Sequence, residues 1–271
     1  MKWIQAIQQQ LPQHKYAINA EMLGDTAECA WTNLGFWTDT TASYPQACQQ
    51  LAERLAQAVQ LQPHDRVLDL GCGQGASLKY WLAQHQIKDL EAVELQPNCV
   101  DHIQKQLPQL KAVHCQSFLN LNRNSFSDLF DVVMCIDAAY HSDLNSFLAS
   151  VSPLLNSKGR LGFHYLMLSD AHLNSKQKLK YRYLLKAADV RFNALMTEQQ
   201  IQQTLAQHHF EQINIQDLST AVFAGFSQYI ASRKDMGRGL DQFKIQMTAK
   251  LCKTLFAEGI VRYIQVNAVK I

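Results

Sequence analysis

The sequence lacks an excess of charge of either sign. Lysine and arginine total 25, aspartate and glutamate 23, and the formal net charge is +2 with ten histidines neutral. A nucleic-acid partner normally needs a clustered basic face, so no nucleic-acid role is expected. The nearest approach to one, Arg233-Lys234 with Arg238, reads as a solvated helix end. Paired cysteine spacing is also missing. Cys29, Cys48, Cys72, Cys99, Cys115, Cys135 and Cys252 never form C-x-x-C, and their odd number argues against both a zinc site and a complete disulfide set. Free thiols in apolar segments suit a reducing, cytoplasmic setting. No stretch approaches the roughly 20 apolar residues of a membrane span. Lys2 is not followed by an apolar core and a small-residue cleavage site, so no signal peptide is expected. No His/Asp/Glu spacing argues for a metal. Internal repeats and low-complexity linkers are absent too.

What remains is 271 residues, 47% of them hydrophobic, enough for one large α/β domain. Apolar periodicity predicts helices over 45–61, 76–85, 97–107 and 144–155, and strands over 66–70, 90–95, 111–117, 131–137 and 160–168. Asn156 to Gly159 reads as a turn. Strands alternating with helices imply right-handed crossovers and a parallel sheet. Beyond Leu168 the rhythm changes. Ser169–Ala194 reads as a polar, basic helical insertion, then come a helix capped by Thr197, a strand over 211–218, helices near 221–232 and 240–256, and a strand over 260–269. At the N-terminus Trp3, Ile4, Ile7 and Leu11 have helical spacing opposite a glutamine face. A packing helix explains this better than a membrane-surface helix, which would carry lysine.

The most informative segment is Asp69-Leu70-Gly71-Cys72-Gly73-Gln74-Gly75 between a strand and a helix. Glycines permit a tight turn and close backbone approach to a ligand. Glu94, at the end of the next strand, is placed to accept hydrogen bonds from both hydroxyls of an adenosine ribose. Gly71-x-Gly73-x-x-Ala76 also satisfies a dinucleotide pattern. Asp69 separates the two ligands: a carboxylate there repels a pyrophosphate and favours the ammonium and sulfonium of S-adenosylmethionine.

Val67-Leu68-Asp69-Leu70-Gly71-Cys72-Gly73-Gln74-Gly75 resembles the first motif of class I S-adenosylmethionine-dependent methyltransferases. Asn33-Leu34-Gly35-Phe36-Trp37 resembles the lid of the tocopherol, sterol and quinone-like small-molecule group. Asp137-Ala138-Ala139-Tyr140-His141 resembles that group's fourth motif, and Leu218 to Phe226 a later stretch. The resemblance implies a doubly wound, Rossmann-like α/β fold with a seven-stranded, mostly parallel sheet and an antiparallel last strand. Residues 1–44 would be a helical lid, 45–271 the core, and 169–195 an insertion covering the active site. By position, Asp69, Gly71, Cys72, Gly73 and Gly75 would hold the methionine portion, and Glu94 the ribose. Leu95 and Gln96 would lie beside the adenine, with Ser117 and Phe118 flanking it. Many relatives have an acidic residue near Ser117. Asp137 and Ala138 would close over the methionine end, and Trp37 would be a lid contact.

Methyl transfer from a sulfonium is an in-line displacement, so the protein mainly orients the reactants. An acceptor that loses a proton calls for a base, and His141 beyond the fourth strand is the candidate, with Tyr140 orienting the acceptor or the imidazole. His164 and His114, inside strands, read as structural, and His208-His209 as a helix-end cap. Leu184, Leu185, Phe192, Leu195 and Met196 are candidates to line a roof over an apolar or amphipathic acceptor. A nicotinamide-dependent oxidoreductase and a non-catalytic cofactor-binding protein remain alternatives.

Overall fold

A computed structural model describes residues 19–186, 188–233 and 239–271. The N-terminal pattern from Trp3 to Leu11, Lys234 and Arg238 lie outside the described residues. In chain order the elements are α1 (Tyr44–Ala58), β1 (Arg66–Leu70), α2 (Ala76–Gln84), β2 (Asp89–Glu94), α3 (Pro97–Gln106), β3 (Ala112–Cys115) and β4 (Phe130–Cys135). They continue with α4 (Leu144–Val151), β5 (Leu155–Leu168), α5 (Ser175–Lys186), α6 (Glu198–Gln207), β6 (Phe210–Asp217), α7 (Gly225–Ser232), α8 (Leu240–Glu258) and β7 (Val261–Lys270).

The strands form one sheet in the order β3-β2-β1-β4-β5-β7-β6. The contacts among β1 to β5 are parallel, and β7 runs antiparallel between β5 and β6. This is the expected doubly wound, mostly parallel arrangement. A central parallel strand is covered on both faces and is therefore apolar throughout. In β4, Val132, Val133, Met134 and Cys135 are all fully buried. One face is covered by α1, α2, α3, α7 and α8 through residues such as Leu55, Trp81, Ile103, Phe226 and Ile245. The other is covered by α4 and α6 through Phe147, Leu148, Ile201 and Leu205. Helix starts follow local chemistry: Ser43 caps α1 ahead of Pro45, Asp143 caps α4, and Thr197 forms a capping box with Gln200 at α6.

Three local expectations change. Strand β5 begins at Leu155, not Arg160, because Leu155 pairs with Phe130 across a register shift, and Lys158 absorbs the irregularity at φ 64°. The helix expected from Ala221 opens with a π-helical turn, Thr220–Ala224. Of the expected helical lid, residues 19–43 contain a single 3-10 turn, Glu21–Leu23. Side chains organise this stretch as loops: the Asp25 carboxylate accepts from the amides of Ala27 and Trp31, and Asn33 Oδ1 accepts from the amide of Gly35. Among the described residues, no helix is long and apolar enough to cross a membrane.

Candidate active site

The carboxyl ends of β1, β2 and β4 meet around the glycine turn, the edge where open parallel sheets bind ligands. Gly71, Gly73 and Gly75 have φ of 70°, 57° and 87°. At Gly71 a side chain would be strained and would also come within 2.7 Å of Ala138 Cβ. Gly71→Ala is therefore expected to cost at least the roughly 1–2 kcal/mol of a left-handed backbone. A melting point lowered by several degrees is the expected result in thermal denaturation.

The Glu94 carboxylate clamps this turn. Its Oε2 accepts from the Gly73 amide and its Oε1 from the Gln96 amide, both at 2.9 Å. Glu94 is buried, and each oxygen keeps a lone pair for a further donor. Nearby, Leu95 is 58% exposed, and Gln96 is partly exposed. Ser117 accepts from the Leu119 amide at 3.2 Å, so its hydroxyl caps a short turn. Phe118 packs edge-on against Phe147 and approaches Gly71.

Asp69 lies below the turn. Its Oδ2 accepts from the Trp81 indole at 2.7 Å, while Oδ1 is buried with no hydrogen-bond partner. Burial raises its pKa to about 6. The nearby Ser77 hydroxyl and the Trp81 indole ease that rise, and Glu94 adds to it. Ser77 adjoins Asp69 but does not close a hydrogen bond on Oδ1. Asp69 faces a cavity of about 80 Å³. From the strand ends, Gly71, Cys72, Ile136 and Asp137 line it, and from α2, Ala76 and Ser77. The remaining wall is Ala30, Trp31, Thr32 and Asn33. No lysine, arginine or histidine lines it among the described residues.

Ala30, Trp31 and Thr32 escaped sequence reasoning, which placed the lid motif at Asn33-Leu34-Gly35-Phe36-Trp37 and chose Trp37 as its contact. In the fold, Trp37 stacks on Tyr229 at 4.2 Å, lies against Gly225, and donates its indole N–H to the Leu34 carbonyl at 2.9 Å. It braces the lid from outside and does not line the cavity. Gly225 is small because the Trp37 ring occupies the place of its side chain. Tyr44 of α1 fixes the inner part of the lid by donating to the Asn33 carbonyl at 2.8 Å. The available signal was the pair Asp25 and Asn33, whose side chains build loops.

Asp137 has φ 56° and joins three parts of the chain. Its Oδ1 accepts from the Tyr263 hydroxyl of β7 at 2.9 Å, and its Oδ2 from the Leu34 amide at 3.2 Å. Desolvation raises its pKa, against hydrogen bonding from Tyr263, Tyr140 and Leu34. Ala138 lies against Gly71. Tyr140 and His141 follow in a 3-10 turn with ring centroids 4.6 Å apart. Burial and the Asp137 carboxylate push the Tyr140 phenol well above its usual value, so it acts as a donor and not as a base. The His141 Nδ1 lies 3.5 Å from the Asp189 carbonyl, in the segment after α5.

The other histidines have structural surroundings. His164 is fully buried and pushed down to about 3, chiefly by desolvation, so it is neutral. His114 pairs with Glu91 at 2.8 Å, and His208 meets Asn145 at 2.8 Å. Of the expected roof residues, Leu185, Phe192 and Leu195 are buried, while Leu184 and Met196 are partly buried against the core. Among the described residues, no group of acidic, histidine and cysteine side chains is arranged to hold a metal.

A glycine turn clamped by a carboxylate stands at the sheet edge where open α/β folds receive their ligands. The chain belongs to the methyltransferase domain family, whose model matches residues 41–215. It is 31% identical over 132 residues to erythromycin 3''-O-methyltransferase of Saccharopolyspora erythraea, an alignment covering 46% of this chain and 42% of that protein. The chain thus matches less than half the length of that curated relative. In fold it is similar to the cyclopropane synthase MmaA2 from Mycobacterium tuberculosis, with a TM-score of 0.73 and 16% identity over 95% of this chain and 96% of that one. It is equally similar, with a TM-score of 0.73, to geranyl diphosphate C-methyltransferase from Streptomyces coelicolor A3(2), at 13% identity over 97% and 98% of the two chains. That structure contains Mg2+, geranyl-S-thiolodiphosphate and S-adenosyl-L-homocysteine.

Proposed function

We propose that this protein transfers a methyl group from S-adenosylmethionine to a small-molecule acceptor. The carrying observation is the cavity beneath the glycine turn: Asp69 lines it, with one carboxylate oxygen buried and unpartnered, and no basic side chain is among its described lining. An unsatisfied buried acceptor is costly and favours a ligand that donates to it. A cationic amino-acid end meets that need, whereas a pyrophosphate would be repelled by Asp69, Asp137 and Glu94. Family membership and the fold likeness to a protein holding S-adenosyl-L-homocysteine support the same reading.

When bound, the cofactor supplies an electrophilic methyl group on its sulfonium. The chain's own residues hold and shield it. Asp69 and the Gly71–Gly75 turn take the amino-acid end, and Glu94 takes the ribose hydroxyls. Leu95 and Gln96 lie on one side of the adenine place, Ser117 and Phe118 on the other. Asp137 and Ala138 close the near wall, with Asp137 tying it to the lid at Leu34. Ala30 to Asn33 exclude water from above. His141 removes the acceptor's proton, and Tyr140, whose own proton goes to Asp137, orients the acceptor through the lone pair of its hydroxyl oxygen. The acceptor is read as apolar or amphipathic, under a roof made by the lid and residues 169–195. The reaction is placed in the cytoplasm, where the seven unpaired cysteines stay reduced.

The first test compares S-adenosylhomocysteine with NAD by thermal shift, since a ligand bound only by the folded state raises its melting point. A rise with NAD and none with S-adenosylhomocysteine would overturn the reading. A screen of acceptors with labelled cofactor and mass analysis of product then identifies the substrate.

The Asp69 shift makes binding depend on pH. Its pKa is about 6 in the fold, against a usual carboxylate value near 3.9. The folded chain holds the extra proton between those values, so this group's contribution to stability falls as pH rises from about 4 to 6. Cation binding runs the opposite way, because it needs the anion. S-adenosylmethionine affinity is expected to fall about tenfold from pH 7 to pH 5, with proton release on binding at low pH. Calorimetry in buffers of different ionisation enthalpy measures both. Asp69→Asn should flatten the dependence, and an unchanged profile would remove Asp69 from the cofactor site.

A further inference from the structure

A wide cleft of about 960 Å³ opens along the segment between α5 and α6. Small-molecule sites occupy roughly 300–1,000 Å³, so the cleft is large enough for one. Val190, Phe192, Leu195 and Met196 form its apolar floor, the first three of them buried. Arg182, Lys186 and Arg191 border that floor as exposed cations. His141 adjoins the cleft. Its Nδ1 lies 3.5 Å from the carbonyl of Asp189, a lining residue, and Asp143, just beyond it in the chain, lines the cleft as well.

We propose that this cleft receives the methyl acceptor and that the acceptor is an amphipathic anion. Its apolar body lies on Phe192, Leu195 and Met196, and its carboxylate or phosphate is held by Arg182, Lys186 and Arg191. Calling this ligand the acceptor rests on the methyl-transfer reading above.

Charge sorts the two ligands. The cavity beneath the glycine turn is lined by Asp69 and Asp137, with no basic side chain among its described lining, and suits a cation. The cleft has the opposite balance, with its three cations facing Asp143 and Asp189. Asp143 is already engaged: it accepts from the Ser146 amide at 2.9 Å and pairs with Arg191 at 3.5 Å. Arg182 spends its Nε on Asn193 Oδ1 at 3.2 Å, which leaves the terminal N–H groups of its guanidinium for an oxyanion. A planar guanidinium matches the geometry of a carboxylate or phosphate. Helix α5 strengthens the positive field: it carries Lys176, Lys178, Lys180, Arg182 and Lys186 and no acid. Of these, Lys180 is balanced by Glu258 of α8. A concentration of one charge at a cleft raises the local concentration of the opposite one. A purely apolar ligand would cover these cations without giving them an acceptor.

Two fluorescent probes with one carbon skeleton test this: anilinonaphthalene sulfonate, an anion, and the neutral N-phenylnaphthylamine. Both are titrated into the full chain without cofactor. The result therefore stands apart from the methyl-transfer reading, which S-adenosylhomocysteine binding tests separately. The sulfonate is expected to bind about tenfold more tightly than the neutral probe, the effect of one charge-assisted pair. In Arg182→Gln/Arg191→Gln that preference should vanish while the neutral probe binds as before. Both replaced side chains are exposed, so the melting point and the affinity for S-adenosylhomocysteine should stay at wild-type values. Arg182→Glu should reverse the order of the two probes. For the acceptor found with labelled cofactor, the double variant should raise KM by about tenfold or more and leave kcat within about twofold. The proposal is overturned if the wild type binds both probes equally, or if the double variant keeps the preference for the sulfonate. It is equally overturned if the acceptor carries no ionised acid group.

Discussion

Replacing Glu94 with alanine is expected to weaken S-adenosylhomocysteine binding a hundredfold or more. The carboxylate does two things at once. It holds the glycine turn by accepting from the amides of Gly73 and Gln96, and it keeps lone pairs for two ligand hydroxyls. Hydrogen bonds to a charged group contribute about 1.5–3 kcal/mol each, so losing two ligand bonds removes about 3–6 kcal/mol, before any loosening of the turn. Glu94→Gln separates the two effects. An amide retains one acceptor oxygen and turns its NH2 group toward a backbone N–H, so binding should fall to an intermediate level. Isothermal calorimetry on both variants, with circular dichroism to verify folding, gives the result. Affinity of Glu94→Ala within threefold of wild type would withdraw the ribose assignment.

His141→Ala is expected to lower turnover about a hundredfold or more while S-adenosylhomocysteine affinity stays within twofold, the pattern of a general base that does not touch the cofactor. The geometry supports the division. His141 does not line the cavity beneath the glycine turn, and it stands in the turn beyond β4 beside Tyr140. Added imidazole should restore part of the turnover of His141→Ala. A histidine needed only for packing would not be rescued. Tyr140→Phe should raise KM more than it lowers kcat, because its phenol stays protonated and serves to orient. Full activity of His141→Ala on the true acceptor would move the base elsewhere.

What the sequence alone determined is local. Strand β1, the turn from Gly71 to Gly75 and helix α2 were legible because short-range sterics decide them: an apolar run, glycines at left-handed positions, then renewed helical spacing. Glu94 was legible because it ends the next strand of the same βαβ unit, and such a unit has one hand. The cap at Thr197 follows the same logic. The tertiary structure decided which side chain meets which distant neighbour. Trp31 and Trp37 stand six positions apart in one loop, and only the packing of α1 and α7 puts Trp31 on the cavity and Trp37 against Gly225. Asp69 reads in sequence as a carboxylate near a ligand. Only the fold places the Trp81 indole on one of its oxygens and leaves the other buried without a partner. Likewise, nothing near Asp137 in the chain announces Tyr263, which reaches it from β7 across 126 positions. Backbone conformation is set by neighbours in sequence, whereas burial and hydrogen-bond partners are set by whichever element the core needs against that face.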